Sequence, residues 1–211
     1  MKFRDPVGSL RAVKNEVDSV DRIAASFASQ DWRTRTIVTL LAVAAVVVSA
    51  AAAPASRGVL GATLSLLMLA VTLTDMRFFV IPNGLNIGAL VLGLLFAGVR
   101  FPEVALESVG LALLRAVVLA ATFYAVRTAY RWWRGREGVG LGDVKLAGVA
   151  GVWLDWPTIP IAIEAAALSA LAAYGLRLFV LRREFNRTDR LPFGAFFAPA
   201  IWLGWLIEVV M

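Results

Sequence analysis

From about residue 37 onward the chain alternates between long apolar runs and short polar or basic breaks. The first run, Ile37 to Ala53, is preceded by Arg33, Arg35 and Trp32, an aromatic suited to a membrane interface. Pro54, Ser56, Arg57 and Gly58 make a turn, and the second run, Val59 to Thr74, ends on Asp75. Pro82 and Asn83 suit the opening of a third run that reaches about Val99, because proline is tolerated in a first helical turn. Arg100-Phe101-Pro102-Glu103 then turns the chain into a fourth run, Leu106 to Val126. This run carries Arg115, which must face protein or reach an interface, with Glu107 two turns away as a long-range partner. The fifth run, Asp143 to Leu154, is short for a full crossing. Either it continues through Trp153 and Trp156 to the far interface, or it is a half-helix packed inside a bundle. The sixth, Thr158 to Val180, contains Glu164, and the seventh follows Leu191-Pro192-Phe193-Gly194 and ends at Val210. The pattern predicts an all-α, polytopic membrane bundle of about seven transmembrane helices.

Residues 1–36 form a separate polar segment of mixed charge. Val13, Val17, Val20, Ile23, Ala24 and Phe27 recur there at helical spacing, so residues 9–29 read as an amphipathic helix on the membrane surface or as a mobile tail. The apolar region starts too late for a cleavable signal peptide. Residues 37–58 are an N-terminal helix and turn, and residues 59–211 are the main membrane domain.

Composition agrees with this pattern. Sixty per cent of the 211 residues are hydrophobic and 17% charged, with a mean hydropathy of +0.76, which leaves no room for a large soluble domain. The net charge of +6 would raise the question of nucleic acid in a soluble protein. Here the basic residues sit in alternate breaks, so they report topology with the bilayer as partner, and no nucleic-acid partner is expected. With the N-terminus in the cytoplasm, the inner segments hold residues 1–36, Arg77, Arg127 to Arg136 and Arg182 to Arg190. The outer loops keep only Arg57 and Arg100. Asp75 and Asp143 then fall at the same, cytoplasmic, face.

Cysteine and histidine are both absent. That excludes disulfides, thiol nucleophiles, Ser-His triads and the usual zinc sites, and no metal or other cofactor is expected. The acids carry the remaining chemistry. Asp143 lies in Gly138-Val139-Gly140-Leu141-Gly142-Asp143, whose glycines let backbone or substrate approach closely. Singly, Asp143 also reads as a helix cap and Asp75 as a partner for Arg77 or Lys145. Together, two carboxyl groups brought into contact share one proton. The charged member then activates water while the neutral one donates to a scissile carbonyl.

Three stretches make the reading specific: Asp75-Met76-Arg77-Phe78-Phe79-Val80-Ile81-Pro82-Asn83, Gly140-Leu141-Gly142-Asp143-Val144-Lys145-Leu146, and Leu191-Pro192-Phe193-Gly194. In order and spacing the chain resembles the type IV prepilin peptidase family of GxGD aspartyl proteases from about Val59 onward. The resemblance implies a six-helix peptidase core behind one additional N-terminal helix, with Asp75 and Asp143 as the catalytic pair. It also implies a site shaped by Gly140, Gly142, Lys145, Pro82, Asn83, Pro192, Phe193 and Gly194. The implied substrate is a prepilin or pseudopilin with a basic leader, cut at the inner membrane. Larger members carry a cysteine-bearing cytoplasmic segment linked to methylation. The cysteine-free chain looks instead like the short peptidases of Tad/Flp pilus systems or their archaeal relatives. Two rival readings are an ion-coupled transporter using Asp75, Arg115, Asp143 and Glu164, and a non-catalytic pilus or secretion assembly protein. The chain shows no internal repeat of the kind transporters carry.

Overall fold

The computed structural model describes residues 32–53, 55–135, 138–179 and 192–211. The amphipathic pattern over residues 9–29, Arg136, the basic stretch from Arg182 to Arg190, and Leu191 lie outside the described residues. Helices α1 (Trp32–Ala52), α2 (Ala55–Phe78) and α3 (Asn83–Arg100) are followed by a 3-10 turn, Pro102–Val104. Then come α4 (Ala105–Arg134), α5 (Leu141–Trp153), α6 (Thr158–Phe179) and α7 (Phe193–Val210). No strand occurs among the described residues. All these helices except α5 are long and apolar enough to cross a membrane, six in all, so the chain is an all-α, multi-pass membrane protein.

The chain divides into two units, Met1–Leu41 and Ala42–Met211. In the first, the described residues are the opening turns of α1, where the Arg33 guanidinium lies 5.4 Å from the centroid of the exposed Trp32 ring. The remaining helices belong to the second unit.

That unit is built around α5. Its thirteen residues rise only about 20 Å, short of a hydrocarbon core about 30 Å thick. From Leu146 to Trp153 every residue is buried, against α3, α4 and α7. A helix covered on all sides needs no polar face, and this stretch (Leu-Ala-Gly-Val-Ala-Gly-Val-Trp) has none. Leu64, Met68 and Val71 of α2 and Phe197, Ile201 and Trp205 of α7 complete the core. Phe96 of α3 stacks on Trp153 at 5.1 Å, and the Trp153 indole donates to the Ala89 carbonyl at 2.8 Å. Despite its length, α5 runs from one end of the bundle to the other. Near its start Lys145 meets the start of α3, and Asp155, two residues past its end, meets the ends of α3 and α7.

Four boundaries differ from the hydropathy pattern. Helix α1 begins at Trp32 and α2 at Ala55, so Arg33 to Thr36 and Ser56 to Gly58, expected before a run and in a turn, are helical. Helix α2 continues past the apolar run to Phe78, placing Asp75 within its last turn. Helix α4 continues through the arginine-rich stretch, expected to be a loop, as far as Arg134. Helical hydrogen bonding does not require apolar side chains, and no breaker intervenes before Gly135. There a left-handed residue (φ 67°) returns its N–H to the Arg131 carbonyl at 2.9 Å. Arg115 does not reach Glu107: its Nε donates to the Gly151 carbonyl and its Nη1 lies 3.4 Å from Asp155.

Gly151 marks the closest approach of α4 and α5. A Cβ there would stand 2.6 Å from backbone atoms of Arg115 and Ala116, which cannot rotate away. Gly151→Ala is therefore expected to destabilise the bundle by about 1–3 kcal/mol through overpacking. Gly88→Ala, with open space around the new methyl, is the neutral control. Denaturation of the two variants in detergent micelles checks this; equal stability of both contradicts it.

Candidate active site

Asp75 is 6% exposed, and its carboxylate is met across the bundle by the first turn of α7. The first amides of a helix lack intrahelical partners. The Ala195 N–H uses its freedom to donate to Asp75 Oδ2 at 2.8 Å. Asp143 is the third residue of α5, and its Oδ2 accepts the Gly140 N–H at 3.1 Å. Gly140 has no side chain to reciprocate, so this is half of a capping box. Asp143 was expected as the cap itself, but Gly140 holds that position and Asp143 supports it from the third helical residue through Oδ2. Both acids sit where a helix N-terminus favours negative charge.

Gly194 brings the two together. A Cβ on it would lie 3.0 Å from Asp75 Oδ2 and 3.3 Å from Asp143 Oδ1, so both carboxylates face one point in space. The same Cβ would strike Ile81 Cδ1 at 2.7 Å, and a Cβ on Gly142 would press on Ile81 at 3.2 Å. Ile81 is buried between the two glycines and forms the apolar floor under the acids. Its placement comes from the turn after α2. Phe79 adopts φ 52° and returns its N–H to the Asp75 carbonyl at 3.0 Å, and Pro82 (φ −59°, ψ 137°) holds the chain extended into α3.

The other expected residues surround this point in different roles. Lys145 Nζ donates to Asn83 Oδ1 at 2.5 Å, joining the second turn of α5 to the start of α3. The Pro192 carbonyl accepts a second, 3.3 Å bond from the Ala195 N–H. The Phe193 ring packs against Phe123 and Phe197, at 6.4 and 5.4 Å, so it ties α7 to α4. Sequence reasoning missed Arg127, which is buried and donates to the Val139 carbonyl at 2.6 Å, directly before Gly140. A buried arginine aimed at a glycine-rich turn leaves no sequence signal, because in the sequence it reads as one more basic residue. Ile81 and the Ala195 amide were also missed.

Arg115 and Glu164 are not part of this cluster. Arg115 is bound at the opposite end, and Glu164 is exposed on α6, which does not favour one ion path through all four charges. Among the described residues no group of three or more Asp, Glu, His or Cys is close enough to hold a metal.

Two carboxylates on separate helices, converging on a backbone opening, are the arrangement with which an aspartic hydrolase polarises water and carbonyl together. The chain belongs to the type IV leader peptidase family, whose profile matches residues 62–176, a range that includes both aspartates. It is 30% identical over 169 residues to the prepilin leader peptidase/N-methyltransferase of Aeromonas salmonicida, covering 79% of this chain and 55% of that protein. It is 33% identical over 148 residues to the leader peptidase HopD of Escherichia coli, covering 70% of this chain and 90% of that protein. The chain thus spans about half the length of the peptidase/N-methyltransferase relatives it matches. No solved structure matches it.

Removing the Arg127 clamp should loosen the Gly138–Asp143 turn without melting the helices. Arg127→Ala is expected to speed amide exchange in that turn about tenfold and leave α3 unchanged. Hydrogen–deuterium exchange read by mass spectrometry checks this, and unchanged exchange at the turn contradicts it.

Proposed function

We propose that the chain is a membrane aspartic endopeptidase that removes the basic leader from type IV prepilins or pilin-like proteins and leaves the new amine unmethylated. The observation that carries the reading is the convergence of Asp75 and Asp143 on the opening at Gly194. The pair holds one proton, since two adjacent carboxylates repel when both are ionised. The ionised member takes a proton from water as its oxygen attacks the scissile carbonyl carbon, and the protonated member donates to the carbonyl oxygen. Collapse of the tetrahedral intermediate breaks the C–N bond, and the pair returns a proton to the leaving amine. No covalent enzyme intermediate forms.

The asymmetry of Lys and Arg along the chain supports a cytoplasmic-membrane protein with the aspartates at the cytoplasmic face. A substrate with a basic leader and an apolar helix rests the same way, charges in the cytoplasm and helix in the bilayer. Its cleavage site then lies level with Asp75 and Asp143. Small residues fit the confined space under Gly194, in keeping with the glycine that the family resemblance implies before the cut bond. The unmethylated product is supported by the cysteine-free sequence and by the extensive match to HopD, a relative named for peptidase action alone.

Purified protein and a synthetic prepilin test the proposal. Asp75→Asn and Asp143→Asn are each expected to lower the cleavage rate at least about 1,000-fold, because the amide can neither accept nor return the proton. Near-normal cleavage by either variant contradicts the mechanism. The mass of the mature N-terminus should show a free amine, and a methyl group added by this protein would show that the single-activity reading is wrong.

A further inference from the structure

At the end of the bundle away from the aspartates, four helices are joined around a single residue. Asp155 follows the end of α5. Its Oδ2 lies 2.9 Å from Arg100 Nη1, at the end of α3, and its Oδ1 lies 3.4 Å from Arg115 Nη1 of α4. Its backbone N–H donates to Glu208 Oε1 of α7 at 2.7 Å, and Glu208 Oε2 lies 3.3 Å from the same Arg100 nitrogen. Its carbonyl accepts the Thr158 and Ile159 amides that begin α6.

This cluster lies far from the two aspartates, beyond the end of α5, which itself rises about 15 Å from Asp143 to Trp153. Its partners are nevertheless the helices that build the site at their other ends. Helix α3 carries Asn83, which holds Lys145, and α7 carries Gly194 and Ala195. The lengths do not match: Asn83 to Arg100 rises about 26 Å along α3, whereas Lys145 to Trp153 rises about 12 Å along α5, with two further residues to Asp155. The long side chains of Lys145 and Arg100 close the difference from the two ends. Between them α5 offers apolar and small residues, whose packing is non-directional. Its polar ties to neighbouring helices there are the Trp153 indole on the Ala89 carbonyl and Arg115 Nε on the Gly151 carbonyl, both within about a turn of Asp155. A slip of one residue would move Asp143 about 1.5 Å and turn it about 100° away from Gly194.

We propose that Arg100 and Arg115, acting through Asp155, are positioning residues that fix the depth and rotation of α5 and so hold Asp143 opposite Asp75. The proposal rests on the peptidase reading for its kinetic consequence, but the geometry can be measured without it.

Kinetics and a distance test it, on the full chain in detergent. Arg100→Ala and Asp155→Asn are expected to lower kcat about 100-fold while KM stays within about threefold, as a displaced catalytic group requires. Arg100→Lys, which keeps a cation within reach, should recover most of the rate. Because the chain has no cysteine, spin labels can be placed through cysteines at Leu141 and Met76, both exposed at the aspartate end. The unaltered network should give one narrow distance, and Arg100→Ala should shift or broaden it by about 1.5 Å or more, one residue's rise. An unchanged distance together with unchanged kcat overturns the proposal. So does loss of the folded protein in both Arg100→Ala and Asp155→Asn, which would mark the cluster as a stability element only. If the unaltered chain cuts no prepilin, the peptidase reading fails, and the label distance alone decides the positioning role.

Discussion

The rest of the structure depends on a helix that is both too short and too well covered. Helix α5 has thirteen residues and no exposed residue after Lys145. Its charged groups are confined to its two ends: Asp143 and Lys145 within the first two turns, and Asp155 just past the last. Everything between is apolar or glycine, as the energetics of a buried helix demand. The packing of α3, α4 and α7 follows from the need to cover it. The glycines at 93 and 151 follow from how closely they cover it, since a Cβ at either position would meet α5 or its neighbour at about 2.6 Å.

The aspartates obey the same constraint. A carboxylate inside an apolar bundle needs compensation, and the usual source is a basic partner. Here the described ion pairs are all at the opposite end, around Asp155. The acids instead receive backbone amides, Ala195 for Asp75 and Gly140 for Asp143. The Gly194 amide also faces both acids, and such neutral donors hold a carboxylate in its charged form less firmly than an ion pair would. Gly194, without a side chain, keeps the space between the acids accessible. The proposed chemistry therefore depends on what the chain leaves out between the two acids as much as on the acids themselves.

Much of this was legible in the sequence, and what was not has a physical explanation. Apolar runs locate helices because the bilayer selects them by length, and the three linked motifs contain the two aspartates and Gly194, which the fold brings together. Helix ends were less legible. The extension of α4 to Arg134 shows that loss of apolarity marks the membrane boundary, whereas Gly135 marks the helix boundary. Contacts across the bundle were not legible either. Asp155 sits in Trp153-Leu154-Asp155-Trp156-Pro157, which reads as an ordinary turn, and Glu208 reads as a terminal surface charge. Spacing in a sequence reports which face of a helix a residue occupies but not its depth against another helix. The pairing of Arg100 with residues 55 and 108 positions away lies beyond that signal.

The central claim is that Asp75 and Asp143 act as one unit and not as two independent contributors. The single-turnover cleavage rate of the Asp75→Asn/Asp143→Asn double variant, set beside both single variants, tests it directly. Groups that share one proton and one water fail together, so the double variant should be no slower than either single one, within about threefold. Losses that multiply in the double variant, each acid contributing separately, would contradict the account.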